Sequence, residues 1–299
     1  MPSSWQGKSK GTRFGYRIFI SILRQWGLRP AYFLLRFVTF YYFLFSRQTS
    51  TAFLSFLKRV NVTGFQAYRK LYKNYYRLGQ TIIDRLAMLS GIPNRLSFDF
   101  EGEEFLRQMV LMKKGGLLMS AHLGNWEIAG HLLQRLNTRV HVVMFDGEHQ
   151  KLKEYLKSAT GESTANIIIL REDLSHIYAI DEALKRNELV CMHADRFLEG
   201  NRTLSQSFLG SKANFPLGPF ALATSLKVPV SFVFALKESD LHYHFFASPP
   251  IFAGEGKKEV QMESMLRAFV SDLEKKTLQY PEQWFNYYDF WQTDHDNRP

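Results

Sequence analysis

Apolar residues in the second half of the chain fall into short blocks of two alternating kinds. Runs at 117–120, 140–145, 167–170, 189–193, 230–236 and 242–247 have the length of strands, and most of them are rich in β-branched or aromatic residues. Between them, 125–136, 149–160, 174–185, 217–225 and 260–278 repeat their apolar positions at the helical period. Such alternation predicts an α/β fold with a largely parallel central sheet flanked by helices. Further upstream, Phe65, Tyr68, Leu71, Tyr72, Tyr75, Ile82, Ile83 and Leu86 mark a long amphipathic helix over 65–89, stopped by Gly91-Ile92-Pro93. Another helix is expected over 103–113, ending at Gly115-Gly116.

Residues 14–45 follow a different pattern. Here Phe, Tyr, Leu, Ile and Trp are interleaved with arginine in nearly every turn, the composition of an interfacial helix. The run 31–46 is almost wholly apolar apart from Arg36. Its 16 residues rise about 24 Å as a helix, short of the roughly 30 Å hydrocarbon core. A helix lying in one leaflet is therefore expected ahead of a short transmembrane anchor or a buried core helix. Arg17, Arg24 and Arg29 interrupt any signal-like segment, so the body is expected to stay cytoplasmic.

Charge sharpens that division. Residues 1–97 hold 16 of the 38 Lys and Arg but a single acid, Asp84, for a net +15, which leaves −5 on the remainder of a +10 chain. A basic, aromatic segment calls for an anionic partner, and its composition favours a lipid surface over nucleic acid. Two regions are expected: membrane-associated N-terminal helices over 1–62 and an α/β domain over 63–299. Cys191, the only cysteine, sits in an apolar strand, so no intrachain disulfide forms and a nucleophilic role is not expected. A G-x-S-x-G elbow, a Walker loop, a G-x-G-x-x-G turn and a zinc-type cysteine set are all missing from the sequence, which removes support for serine hydrolase, nucleotide hydrolase and Rossmann oxidoreductase chemistry.

The candidate chemistry lies at His122-Leu123-Gly124-Asn125-Trp126-Glu127, between a predicted strand and a predicted helix. A carboxylate five positions after the histidine, in the first helical turn, is placed to hold one imidazole nitrogen and leave the lone pair on the other. That makes a general base, worth about 10²- to 10⁴-fold in rate. The competing structural reading is a satisfied loop histidine with an anion at a helix N-terminus. In parallel sheets ligands gather at the carboxyl ends of strands, so Asp195-Arg196 and Arg171 are expected on the same rim. There a guanidinium meets a phosphate or developing oxyanion, or else closes a strand-end salt bridge. His193 with Asp195, and His242 with His244, each offer two metal ligands on one strand face but no third at a telling spacing, so no metal site is expected.

The stretch Ser120-Ala121-His122-Leu123-Gly124-Asn125-Trp126-Glu127 resembles the signature of the lysophospholipid acyltransferase superfamily, in its lipid A late acyltransferase branch. His193-Ala194-Asp195-Arg196, Phe208-Leu209-Gly210 with Ala213, Phe215, Pro216, Gly218 and Pro219, and Pro281-Glu282-Gln283-Trp284-Phe285 resemble later motifs of that branch in the same order. After Phe285 the likeness departs from the branch's basic run, because Asn286-Tyr287-Tyr288-Asp289-Phe290-Trp291 follows. That tail, with Arg29-Pro30-Ala31-Tyr32 and 41–46, looks more like acyltransferases found with aryl-polyene and flexirubin pigment pathways. The resemblance implies acyl transfer from acyl carrier protein or CoA, as donor substrate and with no cofactor, to a lipid or glycolipid at the cytoplasmic face of a bacterial inner membrane.

On this reading His122 and Glu127 are catalytic, and Gly124, Asn125, Arg171, Asp195, Arg196, Phe208, Gly210, Pro216 and Gly218 bind substrate. Phe208 to Pro219 is read as a loop that lines an acyl slot or packs its aromatics on the core. Trp284 to Trp291 is an aromatic cluster that covers the core or forms an interface belt. The alternatives in function are a lipid- or carrier-binding module without chemistry and an acyl-thioester hydrolase.

Overall fold

The computed structural model describes residues 13–89, 91–126, 128, 133–145, 166–171, 173–198 and 200–291. Four helices come first: α1 (Arg13–Trp26), α2 (Leu28–Phe45), α3 (Arg47–Arg59) and α4 (Gly64–Leu89). The body follows with β1 (Ser97–Glu101), α5 (Glu103–Leu111), β2 (Gly116–Ser120), β3 (Val140–Phe145), β4 (Asn166–Leu170), α6 (Ser175–Lys185) and β5 (Leu189–His193). It continues with β6 (Thr203–Phe208), β7 (Ser211–Pro216), α7 (Leu217–Leu226), β8 (Val230–Lys237), β9 (His242–Ala247) and α8 (Lys258–Gln279). The helix expected over 149–160 falls outside the described residues, as do five of the twelve residues of that expected over 125–136.

Seven strands form one sheet in the order β1-β9-β8-β2-β5-β3-β4, parallel throughout except between β8 and β9. The fold is thus α/β with a mostly parallel sheet. Every residue of β2 and of β8 is buried, as continuous apolar runs covered on both faces require. Leu117 and Met119 of β2 join Val190, Met192, Phe232, Phe234 and α8's Phe269 in the main core. Leu118 points the other way, into a second layer with Leu106, Met109, Leu189 and Val233.

Three strands lie beyond those expected, one in the seven-stranded sheet and two in a separate two-stranded sheet. β1 pairs at the edge, and β6 and β7 make an antiparallel hairpin whose turn, Leu209-Gly210, has φ 50° and 78°. Two successive positive φ values suit the turn of a two-residue hairpin. The stretch read as a loop is therefore mostly strand. Its Phe208 and Phe215 are fully buried and pack with Trp284, Phe290 and Trp291, so the C-terminal aromatic cluster covers the core.

The N-terminal helices divide between two clusters. α3 sends Phe53, Phe56 and Leu57 into the main core, whereas α1 and α2 pack Leu23, Leu28, Ala31, Tyr32 and Leu35 against Ile83, Leu86 and Ala87 of α4. The opposite face of α2 carries Phe33, Phe37, Phe40, Tyr41, Leu44 and Phe45, each at least half exposed. Among the described residues no helix is long and apolar enough to cross a membrane.

Candidate active site

β2 and β5 are neighbours and parallel, so the turns leaving them emerge side by side at the carboxyl edge of the sheet. His122 leaves β2 and Asp195 leaves β5, 73 residues apart in sequence. The His122 Nδ1 lies 2.9 Å from Asp195 Oδ1, and the His122 backbone N–H donates to Oδ2 over 2.9 Å. Asn286 Nδ2 donates to the same Oδ2 over 3.1 Å. Arg196 in turn gives its Nε to Asn286 Oδ1 at 2.6 Å and an Nη to the Phe285 carbonyl at 2.7 Å.

The Asp195 carboxylate is fully buried, which raises its pKa. His122, the hydrogen bond to it, Arg196 and His193 outweigh burial and hold the group well below the usual carboxylate range. Burial, with Arg196 second, pushes His122 down to about 4 against the opposing pull of Asp195. At neutral pH the pair is an anionic carboxylate facing a neutral imidazole. An ionised carboxylate accepts, so the ring proton resides on Nδ1 and the lone pair on Nε2.

The turn that carries His122 is strapped from both sides. Phe285 N–H donates to His122 O over 2.9 Å, Gly124 N–H to Gln283 O over 3.0 Å, and Asn125 N–H to Ala235 O over 2.7 Å. Gly124 has φ 77°, and a Cβ there would collide with the Ala235 carbonyl oxygen. Only glycine satisfies both the backbone angle and that approach. Asn125 is buried and gives its side-chain amide to Thr81 O and to the Tyr243 hydroxyl, both at 3.2 Å.

His193 lies against His122, ring centroids 4.0 Å apart, and Trp126 meets its ring edge-on at 4.5 Å. Burial, and His122 after it, push the His193 imidazole well below its ordinary value. Its Nε2 is buried with no hydrogen-bond partner among the described residues.

His122, His193 and Asp195 present ligand atoms within 4.8 Å of one another, so the third metal ligand that spacing did not reveal comes from the neighbouring strand. Both Asp195 oxygens already accept from N–H groups, and a cation there would have to displace His122 Nδ1–H and sit beside Arg196. This donor set fits proton handling better than coordination. His242 and His244 instead pair with carboxylates of Glu238, Asp99 and Glu101, as ordinary strand residues.

Of the residues singled out in the sequence, His122, Gly124, Asn125, Asp195 and Arg196 are brought together, while Glu127 lies outside the described residues. Gly124 and Asn125 turn toward the protein interior. Arg171 follows β4 on the same rim, with β3 between it and Asp195's strand. Phe208 reaches the site at second hand: it packs on Trp284, whose backbone pairs with Leu123. Gly210 forms the hairpin turn, and Pro216 and Gly218 mark the start of α7. Asn286 and His193's packing role had no sequence signal beyond the point where the aromatic tail departs from the basic run.

A buried histidine–carboxylate pair on the carboxyl rim of a parallel sheet defines the class: an α/β protein equipped to move a proton at that edge. The family model for bacterial lipid A biosynthesis acyltransferases matches residues 12–293, and the chain belongs to that family. It is accordingly an acyltransferase of lipid biosynthesis, acting on an acyl donor and a lipid acceptor. No curated protein matches it significantly in sequence. Among solved structures, the 1-acyl-sn-glycerophosphate (LPA) acyltransferase PlsC from Thermotoga maritima is 14% identical, with 84% of this chain and 97% of that one covered at a TM-score of 0.39.

Proposed function

We propose that the protein moves a fatty or polyene acyl chain from a thioester on acyl carrier protein, or alternatively CoA, to a hydroxyl or amine of a lipid or glycolipid at the cytoplasmic face of the inner membrane. The observation that carries this reading is the 2.9 Å contact of His122 Nδ1 with buried Asp195, in a chain of this family. His122 Nε2 takes the acceptor's proton as the acceptor attacks the thioester carbonyl. Asp195 holds Nδ1–H and stabilises the imidazolium that forms. On the H-x4-E motif alone Glu127 keeps its catalytic assignment, as a second carboxylate to orient His122 and stabilise the imidazolium. The thiol leaving group has a pKa of about 8.5 and departs without a strong acid, so direct transfer in a ternary complex needs no acyl-enzyme.

Arg196 supplies positive charge at the rim, and Arg171 more distantly. Pro216 and Gly218 are assigned to the acyl slot, with Phe208 as support behind Trp284. Residues 1–62 serve as the membrane-associated part and 63–299 as the acyltransferase domain. The run from Asn286 favours the aryl-polyene and flexirubin type of enzyme over one that reads a phosphorylated sugar.

The test combines purified protein, acyl carrier thioester and a total lipid extract, with products read by mass spectrometry. Wild type should add one acyl mass to a lipid, and His122→Ala should abolish the product while vesicle binding persists. Equal product from the variant removes His122 as the base. Free fatty acid formed without lipid would make the protein a thioester hydrolase, and vesicle binding without any product a binding module.

A further inference from the structure

Between the N-terminal helices and the sheet lies a buried polar cluster that acyl transfer as described above does not use. At its centre is Asp84 of α4, the single acid among the first 97 residues, with a fully buried side chain. Its Oδ2 lies 2.5 Å from Nζ of Lys237, the last residue of β8 and itself wholly buried. The same oxygen accepts from the Tyr243 hydroxyl of β9, and Oδ1 accepts from the Tyr32 hydroxyl of α2. The Tyr243 hydroxyl accepts in turn from Asn125 Nδ2.

Taking a lysine and a carboxylate out of water offsets most of their attraction, and apolar side chains of like volume commonly hold such a site as well or better. Stability alone is therefore a weak reason for the cluster. What it does geometrically is join four elements and the catalytic turn at one carboxylate: α2, α4, β8 and β9, with Asn125 three residues beyond His122. The strap on the other side of the turn reaches the same lysine, since Gln283 exchanges two hydrogen bonds with the Lys237 backbone while its own carbonyl accepts from Gly124.

We infer that Asp84 is a positioning residue: through Tyr243 and Asn125 it fixes the turn bearing His122, and through Tyr32 it ties that placement to the seating of α2. The consequence for activity rests on the acyl-transfer reading, whereas the consequence for the turn does not.

Tyr243→Phe removes one hydroxyl and leaves the ring, Asp84 and Lys237 in place. Amide exchange in the peptide 122–126 should rise about tenfold, because the turn loses a tether. The kcat for transfer should fall about tenfold with KM for the thioester within about twofold, since misplacing a base weakens the reacting geometry rather than binding. The double variant Asp84→Leu/Lys237→Met supplies apolar packing instead. Because it leaves the Tyr32 and Tyr243 hydroxyls without their acceptor it should melt within several degrees of wild type, with kcat reduced far more than that shift explains, a split that a merely structural role would not give. Wild-type exchange and kcat in Tyr243→Phe, or full kcat in a folded double variant, overturn the inference. If wild type transfers no acyl group, the proposed function falls, and the exchange comparison alone still decides whether the turn is held by this cluster.

Discussion

Asp195 receives three donors on two oxygens, and two of them come from His122: its backbone N–H and its ring. The strand end and the imidazole plane are thereby fixed together. Asp195→Asn keeps the shape but offers one acceptor oxygen and turns an NH₂ toward groups that are themselves donors. The ring proton is no longer drawn to Nδ1, so the lone pair is lost from the working nitrogen. A loss of about 10²- to 10⁴-fold in kcat is expected in a single-turnover assay, and an unchanged rate would take Asp195 out of the reaction. With His122 held at about 4, kcat/KM should stay level below neutrality and fall only on approach to that pH. Arg196→Gln removes the second cause of the depression, so the falling limb should move to higher pH in the rate profile. Stability carries the same sign. Unfolded imidazole titrates near 6.5 and the folded one near 4, so between those values the unfolded chain binds more protons and stability drops as pH falls. Asp195, also held low, extends the loss to lower pH, and His122→Phe should flatten the upper part of the slope in urea midpoints measured against pH.

At the scale of elements, the turn after β2 works because glycine lets the chain press against β8. Gly124→Ala would have to strain a φ of 77° and push back the Ala235 carbonyl. A destabilisation of about 1–3 kcal/mol is expected, with transfer reduced further than the melting temperature alone would explain. Both are read from one preparation by thermal melting and the product assay. The core strands and their helices were legible because burial on both faces leaves long apolar runs in β2, β5 and β8, and burial on one face leaves the helical period in α4, α6 and α8. β6 was not legible, because Thr203, Ser205, Gln206 and Ser207 carry no apolar alternation and their pairing is imposed by the Leu209-Gly210 turn. β1 does alternate, through Phe98 and Phe100, but its flanking acids and short length hid it. Of the site, His122 and its place after a strand could be read directly. Asp195 could be placed on the same rim, but its contact with the ring could not be read, since β5 lies beside β2 only because of the order in which β3 and β4 are laid outside it. Asn286 arrives from the far end of the chain, a closeness that local pattern does not encode.

The whole molecule is electrically lopsided, +15 over residues 1–97 and −5 beyond, and α2 adds an apolar face to the basic end. One side of α2 is committed to α4 and, through Tyr32, to Asp84, so removing the helix would disturb the interior along with the surface. The outward side is free of that objection. Phe33, Phe37 and Phe40 are 61%, 61% and 55% exposed and lie on one stripe with Arg29 and Arg36. Insertion of those rings between headgroups, with arginines reaching anionic lipid, is the expected mode of docking. Replacing all three phenylalanines by glutamate removes apolar area and reverses the local field while leaving the buried stripe intact. Binding to vesicles with a third anionic lipid should then fall by about 10³-fold or more, given roughly 1 kcal/mol for each of the rings removed and each of the negative charges introduced. Wild-type binding should weaken as salt rises from about 0.05 to 0.5 M, because the screening length shortens several-fold. Sedimentation of the triple variant with vesicles at the wild-type level, together with an unaltered melting temperature, would move the docking surface off α2, leaving the basic faces of α1 and α3 as the place to look.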